Sequence, residues 1–155
     1  MTTRSCAIIL RAPLLIALLL AATSSRSFAA DPALKLEALL VWGTNDAASP
    51  DPKHKPVEPA IRKKLQELPL KWNNYFEVSR KGIDVPAASS KKISLSEKCD
   101  VEVKNLGAST VEVSLFGRGS QVLKRNQSLP PGETLVLAGK APNETAWLVV
   151  IKRVQ

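Results

Sequence analysis

Cys99-Asp100-Val101-Glu102-Val103-Lys104 and, after a polar break, Thr110-Val111-Glu112-Val113-Ser114-Leu115 alternate apolar and polar residues almost one for one. Successive side chains of a strand point to opposite faces, so each run presents one apolar and one hydrated face. Asn105-Leu106-Gly107 between them reads as a turn. Gly117-Arg118-Gly119 beyond them reads as a hairpin tip in which two glycines permit positive φ. The pair decides the class, because an antiparallel hairpin with one apolar face must cover that face with another layer.

Reading outward, the same pattern recurs on both sides. Val122 to Lys124 returns from the tip, and Pro130-Pro131-Gly132-Glu133 suits a type II turn with Gly132 at the positive-φ position. Leu135 to Ala138 and Trp147 to Ile151 are the last strands, separated by the loop Gly139 to Thr145. The second of them loses its alternation in continuous Val and Ile, as a central strand covered on both faces does. Upstream, Ile93 and Leu95 alternate with serines, and Ile83 and Val85 lead into a polar loop at Pro86 to Ser90. Trp72, Phe76 and Val78 share a parity before a turn at Lys81-Gly82. Leu34 to Trp42 is a further strand. Between it and Trp72 lie a Pro-rich loop, Gly43 to Pro56, and a short helix that starts at Pro59, carries Ile61, Leu65 and Leu68 as an apolar stripe, and stops at Pro69. The sum is a mainly β fold: an antiparallel β-sandwich or partly open barrel of about seven to eight strands, with one short α-helix after the first strand, laid across an open end or face.

The first 29 residues read differently. Arg4 and Arg11 flank a cationic start, Leu14 to Ala22 is apolar, and Ser27-Phe28-Ala29 places small residues as a cleavage site does, so residues 1–29 are read as a secretory signal peptide and 30–155 as a single exported domain. Cleavage removes Arg4, Arg11 and Arg26 from 22 basic residues and none of the 14 acidic ones, which leaves a formal charge of +5 on 126 residues. It also removes Cys6 and leaves Cys99 alone. One His and one Cys fall short of the usual four-ligand zinc sites, and no later run reaches the roughly 18 apolar residues of a membrane helix. The mature chain is therefore expected to be soluble after export, in the periplasm or outside the cell, without a cofactor.

The order of an apolar first strand at Leu34 to Trp42, a short helix ending at Leu65 to Leu68, an aromatic strand at Trp72 to Val78 and a last strand at Ala146 to Ile151 resembles small exported bacterial β-rich proteins of unknown function. The resemblance implies an exported β domain and brings no catalytic residues with it.

Candidate chemistry is sparse. Cys99 shares the parity of Val101 and Val103, which reads as an inert core thiol. His54, flanked by Lys53 and Lys55, reads as an exposed loop residue, and no Gly-x-Ser-x-Gly elbow accompanies it. Asp100 and Glu102 share a face, as charges on a solvated strand do. Trp42 and Trp147 share the parity of apolar neighbours and read as core, whereas Trp72 and Tyr75 straddle Asn73-Asn74 and read either as a rim able to hold a sugar or, for Trp72 equally well, as packing between helix and strand. Basic residues cluster at Lys53/Lys55, Arg62/Lys63/Lys64, Arg80/Lys81, Lys91/Lys92, Lys124/Arg125 and Lys152/Arg153; where several converge, the surface attracts anionic polymers. Two N-x-S/T sequons, at Asn126 and Asn143, fall in predicted loops.

The expectation is a non-enzymatic binding or structural domain of the bacterial envelope that contacts a protein partner or an anionic envelope polymer, not nucleic acid. Its contact residues are expected among Lys53, His54, Lys55, Trp72, Tyr75, Arg118, Lys124 and Arg125. The alternative is a carbohydrate-binding or hydrolase-type protein with its site near Trp72, Tyr75 and the 43–56 loop.

Overall fold

The structure, a computed structural model, describes residues 32–140 and 146–154. The expected signal peptide at 1–29, Cys6, the Asn143 sequon and most of the Gly139 to Thr145 loop lie outside the described residues. The chain folds as two antiparallel sheets. β1 (Leu34–Thr44), β2 (Lys55–Pro56), β3 (Asn74–Val85), β8 (Thr134–Lys140) and β9 (Ala146–Arg153) form the first, in the order β2-β3-β1-β9-β8. β4 (Ser90–Ser96), β5 (Cys99–Gly107), β6 (Thr110–Gly117) and β7 (Ser120–Ser128) form the second, in that order. The helix α1 (Pro59–Gln66) follows the two-residue strand β2, which emerges from the predicted loop.

Parity sorts the apolar residues into two layers. Leu34, Leu36, Ala38 and Leu40 of β1 face the second sheet and meet Val101, Val103, Val111 and Val113 there, with Val149 and Ile151 beside them. Leu39 and Val41 take the other face, where Ile61 and Leu65 of α1 close over them together with Leu148 and Val150 of β9. β9 is thus covered on both faces, as its unbroken Val/Ile run predicts. Each Val, Leu and Ile among them contributes roughly 1.5–3 kcal/mol on burial, so these two layers dominate the stability. Among the described residues no helix is long and apolar enough to cross a membrane.

Three local expectations change. Lys81 and Gly82 form no turn; they pair with Ala38 and Glu37 inside a continuous β3, because the long partner strand β1 carries the ladder through. Asn105-Leu106-Gly107 belongs to β5, and the turn falls at Ala108 and Ser109, both at positive φ (48° and 61°). At the other tip the positive pair is Arg118 and Gly119 (50° and 82°), the pattern of a type I′ turn, and not the two glycines. The type II turn stands, with Gly132 at φ 82° and Glu133 N–H donating to Pro130 O at 3.1 Å.

Candidate ligand-binding groove

The two ends of the sandwich differ. At one, Arg153 is 7% exposed and donates from Nη1 to Ser109 Oγ (2.9 Å) and Leu129 O (3.0 Å), tying β9 to the second sheet. Asn105 reinforces the same end by donating from Nδ2 to Val85 O at 3.3 Å. Guanidinium and amide donors there satisfy carbonyls that two stacked sheets would otherwise strand.

The opposite end stays open. Trp42 and Trp147 are register partners across β1 and β9, and their rings stack 5.9 Å apart at 18°. Both belong to the face that looks toward the second sheet, but Trp147 is 44% exposed. Its neighbour on β8 is Gly139, which places no side chain beside it. Across the gap stand two tips of the second sheet, the β4–β5 turn and the β6–β7 turn, joined by Arg118 N–H donating to Lys98 O at 3.0 Å. The space between is a groove of about 1040 Å³. Leu40, Leu115 and Val149 floor it, Trp147 and the 61% exposed Val122 wall it, and Cys99 lines it beside Glu97, Lys98 and Arg118. Among the described residues neither Lys98 nor Arg118 has an ion-pair partner.

Of the eight contact residues expected from the sequence, only Arg118 lines this groove; Cys99 and Trp147, read there as core, line it too. Tyr75 is 4% exposed, donates its hydroxyl to Trp72 O at 2.9 Å, and packs with Trp72 in the helix-side layer. The predicted sugar rim therefore has no free aromatic face at Tyr75. Its amides are engaged too: Asn73 Nδ2 donates to Asn45 Oδ1 and Asn74 Nδ2 to Asp46 O. His54 is not an exposed loop residue. Its side chain is 11% exposed, shares a 2.7 Å hydrogen bond with Ser49 Oγ through Nδ1, and meets the Trp42 ring edge-on at 5.9 Å. Lys53 and Lys55 are exposed beside it. Lys124 pairs with Glu112 at 3.0 Å, and Arg125 is exposed on β7. Asn126 also lies in β7 and not in a loop.

No protein-family model matches the chain, and no curated protein or solved structure matches it.

The remaining chemistry follows from environment. The basic clusters are divided among different tasks. Arg80 is bound by Glu37, Glu58 and Glu77, Lys92 by Asp100, Lys64 by Glu67, and Arg153 lies in the closed end. Asp100, Glu102, Lys104 and Glu112 spread over the outer face of the second sheet, where charges of both signs alternate across neighbouring strands. Cys99 is half-buried rather than sealed in the core. Burial, and then the Asp100 charge, push its thiol up, which disfavours the nucleophilic thiolate. Among the described residues no three His, Cys, Asp or Glu groups assemble to hold a metal ion. Sequence reasoning missed Lys98, Val122 and the exposure of Trp147. Parity does assign Trp147 to the inner face, but it carries no measure of how far the opposing sheet extends.

Proposed function

We propose that this chain is a non-catalytic binding domain of the bacterial cell envelope and that its ligand seats in the groove at the open end of the sandwich. One observation carries the reading: two large apolar side chains, Trp147 and Val122, stand exposed on facing walls of the same concave site. Convergent apolar walls with a few polar groups at the mouth are the usual form of a small-molecule site. Catalysis has little support, since the groove holds one carboxylate, Glu97, and lacks His54. A broad surface for an anionic polymer is also weakly supported, because many of the basic residues already hold carboxylates. The test is native mass spectrometry of the protein taken from the cells that make it. A bound mass is expected on the wild type and absent from Val122→Glu. Retention of that mass by Val122→Glu would place the ligand elsewhere.

A second reading concerns β7. It is one of the two edges of its sheet and mostly exposed, so its backbone is open to strand addition by a protein partner. Lys124 and Arg125 guard that edge, as charges commonly do. Hydrogen exchange slowed across Ser120–Ser128 by a partner, with the groove unaffected, would favour it.

A further inference from the structure

We propose that the groove takes a long-chain fatty acid, with its hydrocarbon chain between the sheets and its carboxylate at Arg118 and Lys98. The inference rests on the groove reading above and adds the ligand class. Leu40, Leu115 and Val149 are core residues of the two sheets, at most 8% exposed, and offer side chains without hydrogen-bonding groups. An occupant reaching this floor must be hydrocarbon there, because a polar group would leave water for nothing. A sugar, with hydroxyls all around its ring, does not meet that condition.

The mouth has the opposite character. Lys98 and Arg118 are held side by side by the Arg118 N–H to Lys98 O bond, which joins the two turns of the second sheet. Elsewhere Lys92, Lys124 and Arg80 are each matched to a carboxylate at 3.5 Å or less. At the mouth two cations face one acid, Glu97, and neither cation is paired among the described residues. A site that is hydrocarbon at its floor and cationic at its lip is complementary to an amphiphile with an anionic head. The volume of about 1040 Å³ accommodates a long chain folded along the groove. Two cations at one point do not make the extended track that an anionic polymer follows.

Titration of the protein with palmitate, followed by tryptophan emission, tests this against two controls. Hexadecyltrimethylammonium has the same chain with the opposite head, and acetate has the head without the chain. Palmitate is expected to bind saturably, the cationic amphiphile at least roughly tenfold more weakly, and acetate not at all; a tenfold loss corresponds to removal of one charge-assisted hydrogen bond. The double variant Lys98→Gln/Arg118→Gln is expected to weaken palmitate by about that factor and to abolish the preference between heads. Arg62→Gln, on the exposed side of α1, is expected to change nothing. Equal affinity for both amphiphiles, or an unaltered double variant with an intact circular dichroism spectrum, overturns the proposal. Failure of every amphiphile to bind, while a native ligand is still lost from Val122→Glu, overturns the fatty-acid assignment and leaves the groove reading standing. Retention of the native ligand by Val122→Glu overturns both.

Discussion

Trp42 and Trp147 face each other across β1 and β9 as register partners, stacked with ring centroids 5.9 Å apart. Their positions continue the inner-face series of Leu40 and Val149, yet the stack stands where the second sheet no longer covers it fully. Trp42 Nε1 is buried without an acceptor among the described residues, while Trp147 opens to the groove. The pair therefore serves surface and core at once.

Trp147→Ala is expected to cost roughly 1–2 kcal/mol, the loss of a half-exposed ring and one aromatic contact. Leu148→Ala, one residue on and fully buried in the helix-side layer, is expected to cost roughly 2–5 kcal/mol. Urea denaturation of the two variants checks the order.

Gly43 and Gly82 lie in paired strands but differ in space. A Cβ at Gly43 would come within 3.3 Å of Tyr75 Cε1 and 3.4 Å of Trp72 Cγ, whereas one at Gly82 meets nothing within 4 Å. Gly43→Ala is expected to destabilise by roughly 1–3 kcal/mol through overpacking. Gly82→Ala is expected to be neutral or to stabilise by up to about 1 kcal/mol, because a strand glycine loses more backbone freedom on folding than alanine does. Paired thermal melts distinguish them.

Arg80 joins three elements. It donates to both oxygens of Glu77 (3.1 and 2.7 Å), to Glu37 of β1 (3.2 Å), and lies 2.7 Å from Glu58 at the start of α1. Its guanidinium is held above its ordinary range, first by the Glu77 hydrogen bond. Arg80→Ala leaves three carboxylates facing one another and is expected to cost roughly 1–3 kcal/mol at neutral pH. A cycle with Glu58→Ala is expected to be non-additive by at least about 0.5 kcal/mol, measured in urea.

Asp100 is held below the usual carboxylate range, first by the Ser94 hydroxyl at 2.6 Å and then by Lys92. A depressed carboxyl contributes stability that is present above its unfolded-state pKa and disappears as pH falls through the folded one. Asp100→Asn is therefore expected to flatten the acid limb of the stability profile. Melting temperatures across the acid range check this.

Cys99 is expected to react with maleimide at neutral pH at least roughly tenfold more slowly than free cysteine, because its thiol is pushed up by burial. The rate should climb only as pH passes above the usual thiol range. Rapid labelling at neutral pH would contradict this assignment.

How far the fold was legible follows from the kind of signal each element carries. The runs Cys99 to Lys104 and Val111 to Leu115 show their period locally, as do the stripe Ile61, Leu65 and Leu68 and the Pro131-Gly132 turn. Residue type misleads at Gly82 and Asn105, which favour turns, and at Gly117, which leaves the positive φ of its tip to Arg118. Pairing with Glu37 keeps the first in a strand, and bonds to Val85 and Ser89 use the second to tie the sheets. The site was less legible still. Arg118 was visible as a hairpin tip, but Lys98 and Val122 acquire meaning only beside it.

A period of two or of 3.6 is a property of the local backbone, so the residues alone suffice for the mainly β class, the placement of the helix and the inner face of β1, β5, β6 and β9, but not for Trp72 and Val78, whose shared parity is broken by the start of β3 at Asn74 and the bulge opposite Leu40 and Val41. That one end of the sandwich is sealed by Arg153 while the other opens at Trp147 emerges from the packing of the two sheets. That difference depends on where one sheet ends relative to the other, and strand stagger between sheets is set by long-range packing that no local period encodes.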